Sequence, residues 1–259
     1  MIKIIQAFLI FLGVQVLFEG IRRFCGDLSP IYAAALADVV IIVLFVVLKL
    51  FHFSTGFFKQ KPYTILAFCG VLAVSTITPS TKLQEFMPEL PNVAEESLGQ
   101  FMQSFAGYVV IGLLTPIVEE IVFRGIILKS LLRMKKLQGK HWTAIIISAL
   151  IFALAHGNPA QMPHALLMGL LLGWLFYRSN SIVPGVVLHF VNNTMAFVVY
   201  QFYPNPDAKL AEIFGSETKV YIICVLSVLL LISTLIILNK KFAKPKLEDG
   251  CMQTNDNIA

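Results

Sequence analysis

Two carboxylates and a guanidinium interrupt an apolar run: Glu119, Glu120 and Arg124 in the stretch PIVEEIVFRGII, residues 116–127. A helix surrounded by hydrocarbon excludes such groups, so their presence signals either function or a buried ion pair. Glu120 and Arg124 are four residues apart, which predicts a pair on one helix face. Glu119 is rotated about 100° from Glu120 and has Phe123 at its own i+4 position, so its carboxylate is offered to another helix. Further along, FALAH carries Phe152 and His156, and LHFVNN carries His189, Asn192 and Asn193. His189 and Asn193 share a face by the same four-residue spacing, and Asn192 points elsewhere. A carboxylate, two imidazoles and an amide can activate a water, hold an oxyanion and pass a proton to a leaving amine. The competing readings are a buried ionic network and a polar clamp between helices.

The elements that must position these groups are membrane spans. The chain has 259 residues, of which 57% are hydrophobic and 14% charged, and its mean hydropathy is +0.79. An ordinary soluble domain is about 25% charged. Stretches of about 20 apolar residues suffice to cross a bilayer. Eight candidates follow, at 4–20, 31–49, 63–81, 105–128, 142–156, 162–177, 182–200 and 219–239. The expected fold is all-α, a polytopic membrane bundle of about eight transmembrane helices. The fifth and sixth candidates flank GNPAQMP, which must turn near a membrane face or in a protein-lined cavity.

Lys59 and Lys61, the basic run Arg133, Lys135, Lys136 and Lys140, and Lys240, Lys241, Lys244 and Lys246 all fall on one side of an eight-span chain. The positive-inside rule makes that side and both termini cytoplasmic. Arg22 and Arg23 then land outside, beside Glu19 and Asp27. Residues 1–244 form the integral membrane domain, and 245–259 read as a short polar tail. The net charge of +5 is accounted for by span ends and an anionic inner leaflet, so no nucleic-acid partner is implied. Cys25, Cys69, Cys224 and Cys251 lack metal-like spacing. His164 follows a proline at the start of the sixth candidate and reads either as an interfacial histidine or as a residue lining a cavity mouth. Asp38 is the other clearly embedded acid.

These motifs resemble those of the CPBP family of intramembrane proteases, the Abi or CAAX-protease group that includes the type II CAAX prenyl endopeptidases. Its EExxxR motif is similar to Glu119, Glu120 and Arg124, followed by Gly125. Its FxxxH motif is similar to Phe152 and His156, and its HxxxN motif to His189 and Asn193. The resemblance covers about 105–200, the expected catalytic core. It implies a hydrolase with its site inside the membrane, opening toward the cytoplasmic side of a bacterial plasma membrane. It also implies a membrane-embedded or lipidated peptide or protein substrate. Bacterial members are linked to bacteriocin self-immunity, peptide maturation and surface-protein display, and some act without proteolysis.

Under this resemblance Glu119 is the general base and His156 holds or polarises the same water. His189 and Asn193 donate to the oxyanion, and Glu120 with Arg124 orients the Glu119 carboxylate. A rival set uses zinc on Glu119, His156 and His189, since two histidines and a carboxylate leave a water position open. A transporter would spread polar groups over paired halves, whereas here they concentrate in the second half. A binding or immunity protein that sequesters a peptide is the remaining alternative.

Overall fold

A computed structural model describes residues 2–26, 28–51, 57, 62–205 and 208–242. The tail expected at 245–259 lies outside the described residues, as do Asp27, His52, Lys59 and Lys61. The described residues form helices throughout, in the order α1 (Ile2–Cys25), α2 (Pro30–Val47), α3 (Tyr63–Glu85), α4 (Glu95–Met102), α5 (Phe105–Leu132), α6 (His141–Ala155), α7 (Met162–Ser179), α8 (Val183–Phe202), α9 (Leu210–Phe214) and α10 (Glu217–Lys241). Each of the eight expected segments coincides with one long helix. Six of them, α1, α2, α3, α5, α8 and α10, are long and apolar enough to cross a membrane. α6 has 15 residues and a length of about 22 Å, less than a hydrocarbon core of about 30 Å.

Helix starts are set by local chemistry. Ser29 accepts a hydrogen bond from the Ile31 amide at 3.3 Å, with Pro30 at the first helical position of α2. Ser104 accepts from the Gly107 amide at 3.0 Å and opens α5. The two short helices, α4 and α9, lie in segments expected to be loops. α4 lays Leu98, Phe101 and Met102 against the bundle and leaves Glu95, Glu96 and Gln100 to solvent.

α5 sits at the centre. Its α-helical stretches are interrupted at Val109–Leu114 and Glu120–Leu128 by wider π turns with i→i+5 hydrogen bonds. Val118, Val122, Phe123, Ile127 and Leu128 are fully buried against α1, α2, α6 and α7. A second apolar cluster joins α3, α7, α8 and α10 around Cys69, Leu72, Leu172, Leu188 and Leu238. α6 and α7 approach closely because Gly169 faces Ala149 and Gly173 faces Ile145. A Cβ at either glycine would come within 2.9 Å of its neighbour, the small-residue packing that membrane helices use.

The turn GNPAQMP is roofed by protein. Asn158 is completely buried. Its Oδ1 accepts from the Val93 amide at 3.1 Å, and its Nδ2 donates to Asn92 Oδ1 at 2.9 Å. Gln84 donates to the Ala160 carbonyl at 3.2 Å. The loop before α4 therefore satisfies the polar groups of a turn that ends a short helix.

Candidate active site

Pro116 shapes the part of α5 that carries Glu119. Its ring nitrogen carries no hydrogen, so in the π stretch the Ile111 carbonyl, five residues back, loses its helical donor. The preceding bond, from the Thr115 amide to the Val110 carbonyl, is made. Asn193 of α8 supplies the missing donor: its Nδ2 donates to the Ile111 carbonyl at 2.8 Å. Asn193 Oδ1 in turn accepts from Asn192 Nδ2 at 3.2 Å. The asparagine of the third motif thus ties α8 to the broken helix and keeps one amide hydrogen for another acceptor.

The expected pair forms. Arg124 Nη1 donates to Glu120 Oε1 at 2.9 Å, and both side chains are buried. Arg124 also donates to the Gly169 carbonyl at 3.4 Å and stacks its guanidinium 4.3 Å from the Phe152 ring centroid. Gly185 of α8 gives Glu120 its room, since a Cβ there would lie 2.6 Å from Glu120 Oε2. Glu120 and Arg124 stand behind the cavity wall, and Glu119 lines it.

His189 lies between the two glutamates. Its Nε2 is 3.6 Å from Glu119 Oε2, and its Nδ1 is 3.6 Å from Glu120 Oε1. His156 Nδ1 is 2.9 Å from the Phe152 carbonyl. A carbonyl oxygen only accepts, so Nδ1 carries the hydrogen and the neutral ring presents Nε2 as an acceptor. Phe152 is the hub: its ring meets His156 edge-on at 4.8 Å, His189 at 6.0 Å and Phe123 at 5.1 Å. This explains an aromatic residue four positions before the histidine. One buried ring fixes both imidazoles and covers the arginine.

Glu119, His156, His189 and Asn193 all line one cavity of about 650 Å³. The cavity also holds three residues that sequence reasoning set aside. Asn192 lines it beside Asn193, so its expected direction away from the site is corrected; both asparagines border the same wide cavity. His164 lines it too, beside Asn192, so of its two readings the structure favours the cavity over the lipid interface. Asp38 of α2 is 2% exposed, lines the cavity and accepts from Thr115 Oγ1 at 2.7 Å. The proline before His164 and the lone acid in α2 were the available signals for the last two.

Glu119, His156 and His189, the residues of the zinc alternative, all border the cavity. Among the described residues no three His, Cys, Asp or Glu side chains converge as ligands of one ion. The Nδ1–Phe152 carbonyl bond leaves His156 Nε2 toward the cavity, an orientation that suits either a water or a metal ligand, and His189 Nε2 faces Glu119.

The cavity is lined by the C-terminal half of α1, the N-terminal halves of α2, α5 and α7, the ends of α3 and α6, the middle of α8 and helix α4. The basic run Arg133–Lys140 follows the other end of α5. The site therefore opens at the end of the bundle opposite the basic loop. The basic loop and the cavity mouth, both expected on the cytoplasmic side, thus stand at opposite ends of the bundle.

Comparison with known proteins agrees with the motif region. The protein YxdF of Lactococcus lactis subsp. lactis (strain IL1403), a UPF0177 protein, is 22% identical over 117 residues, 45% of this chain and 55% of that protein. The chain thus spans about half the length of this curated relative. No solved structure matches it. Residues 101–195, the segment that carries all three motifs, match the family described as type II CAAX prenyl endopeptidase Rce1-like, and the family likeness rests on that segment of the chain.

Proposed function

We propose that this integral membrane protein hydrolyses a peptide bond of a membrane-embedded or lipidated protein or peptide, using a water activated by Glu119. The observation that carries the reading is the arrangement of Glu119, His156 and His189 from three helices around one cavity, with Glu120 and Arg124 buried behind. Glu119 takes a proton from the water, whose oxygen bonds to the scissile carbonyl carbon. His156 accepts a hydrogen bond from the same water through Nε2. His189 Nε2 and the spare amide hydrogen of Asn193 donate to the oxyanion. The tetrahedral adduct collapses, the C–N bond breaks, and the proton held by Glu119 passes to the leaving amine. The Glu120–Arg124 pair, wedged under Gly185 and Phe152, holds the start of the second π stretch so that Glu119 faces the cavity.

Purified protein in detergent should cleave members of a fluorogenic peptide library that includes farnesylated tails. Glu119→Gln should lower cleavage by about 10²–10⁴-fold while retaining the melting temperature, and a chelator should leave the wild-type rate unchanged. If Glu119→Ala kept the wild-type cellular phenotype, the chain would be a binding or immunity protein of the kind that sequesters a peptide.

A further inference from the structure

The end of the molecule at which the site opens can be read against its charge. The mouth is formed by α4, by Gln84 at the end of α3, and by Glu19 and Arg22 at the end of α1. Arg22 and Arg23 there share one carboxylate, Glu19, at 2.7 Å, which leaves a single net positive charge. Near the same end Lys82 is held between Glu85 at 2.8 Å and Glu217 at 2.9 Å. Glu89, Glu95 and Glu96 add negative charge to the loop that carries α4.

The opposite end carries basic residues without acidic partners nearby in the sequence: Lys49, the run Arg133–Lys140, Arg178, Lys240 and Lys241. Contacts gather these elements at one end. Arg178 donates to the Asn239 side chain and to the Asn239 and Phe242 carbonyls. His141 stacks on Tyr177 with ring centroids 4.3 Å apart. Lys and Arg in short loops stay in the cytoplasm, and those of this end outnumber Arg22, Arg23, Lys82, Lys209 and Lys219 of the mouth end.

We infer that the cavity opens to the extracytoplasmic side, and that its substrates are peptide segments exported across the membrane or held in its outer leaflet. The substrate half of this inference rests on the hydrolase reading above; the orientation half does not. A mouth on that side cannot receive a protein tail prenylated and presented in the cytoplasm.

Cys25 is an exposed reporter at the mouth end, and Gln138 is exposed in the basic loop. Two full-length chains, both with Cys251→Ser, would be expressed in cells: one retaining Cys25, the other Cys25→Ser with Gln138→Cys. Each would be treated with a membrane-impermeant maleimide before and after permeabilisation, with the Cys25→Ser, Cys251→Ser chain as the background. The expected result is Cys25 labelled in intact cells and Gln138→Cys labelled at least tenfold more after permeabilisation. The reverse pattern, or equal labelling of both in intact cells, would overturn the inference. Labelling does not depend on turnover. An outward mouth on a chain that cleaves nothing would sink the hydrolase reading and leave the orientation standing.

Discussion

At the scale of single residues, the adjacent glutamates have opposite surroundings and should fail differently. Glu119 faces the cavity, and Glu120 is locked to Arg124 at 2.9 Å inside the bundle. Glu119→Gln should lower kcat by about 10²–10⁴-fold, the usual contribution of a positioned base, with unfolding in denaturant unchanged. Glu120→Gln should cost about 3–5 kcal/mol of stability, because it strands Arg124 as a buried unpaired charge. Glu120→Gln combined with Arg124→Met should recover most of that stability, since the pair is then removed as a whole. A double-mutant cycle of unfolding free energies checks this, and additive losses would rule out the pair as a unit. The i,i+4 spacing made this pair legible from the residues alone. The placement of His189 between both carboxylates was not, because it depends on how far α8 is rotated against α5.

At the scale of elements, the break in α5 joins the first motif to the third. Pro116 frees the Ile111 carbonyl, and Asn193 satisfies it at 2.8 Å. Asn193→Ala leaves a buried acceptor without a donor and should cost about 1–3 kcal/mol. Pro116→Ala returns an N–H to the helix. The double variant should therefore regain stability lost in Asn193→Ala, while hydrolysis stays impaired because the oxyanion donor is gone. Thermal unfolding and turnover of the same samples separate the two effects. The positions of the long helices were legible because apolar runs of this length have few other solutions. The π turns were not, since no periodicity marks them, and α4 was missed because eight amphipathic residues between polar ones look like a loop. Close packing was equally hidden. Gly185→Ala puts a methyl 2.6 Å from Glu120 Oε2 and should cost about 1–3 kcal/mol by overpacking. Gly13→Ala, with nothing within 4 Å, should cost nothing measurable in the same melt.

At the scale of the whole molecule, the chemistry and the shape of the site come from different parts of the chain. The family match covers 101–195 and supplies Glu119, His156, His189 and Asn193. The facing wall is α1 and α2, including Phe11, Gln15, Ala34 and Asp38, where the sequence showed only apolar spans and one stray acid. Such a wall should govern which substrate fits and leave the bond-breaking groups alone. Ala34 tests this division. It lines the cavity one helical turn from Asp38, on the mouth side, and its small side chain leaves the space open. Ala34→Phe should narrow the cavity, raise KM for a bulky or lipidated peptide by roughly tenfold, about 1.4 kcal/mol of binding, and leave kcat within about twofold. A loss confined to KM reports binding that is equal in ground and transition states. If kcat fell by a hundredfold with KM unchanged, α2 would belong to the catalytic machinery, and Asp38, tied to Thr115 at 2.7 Å, would be the residue through which it acts.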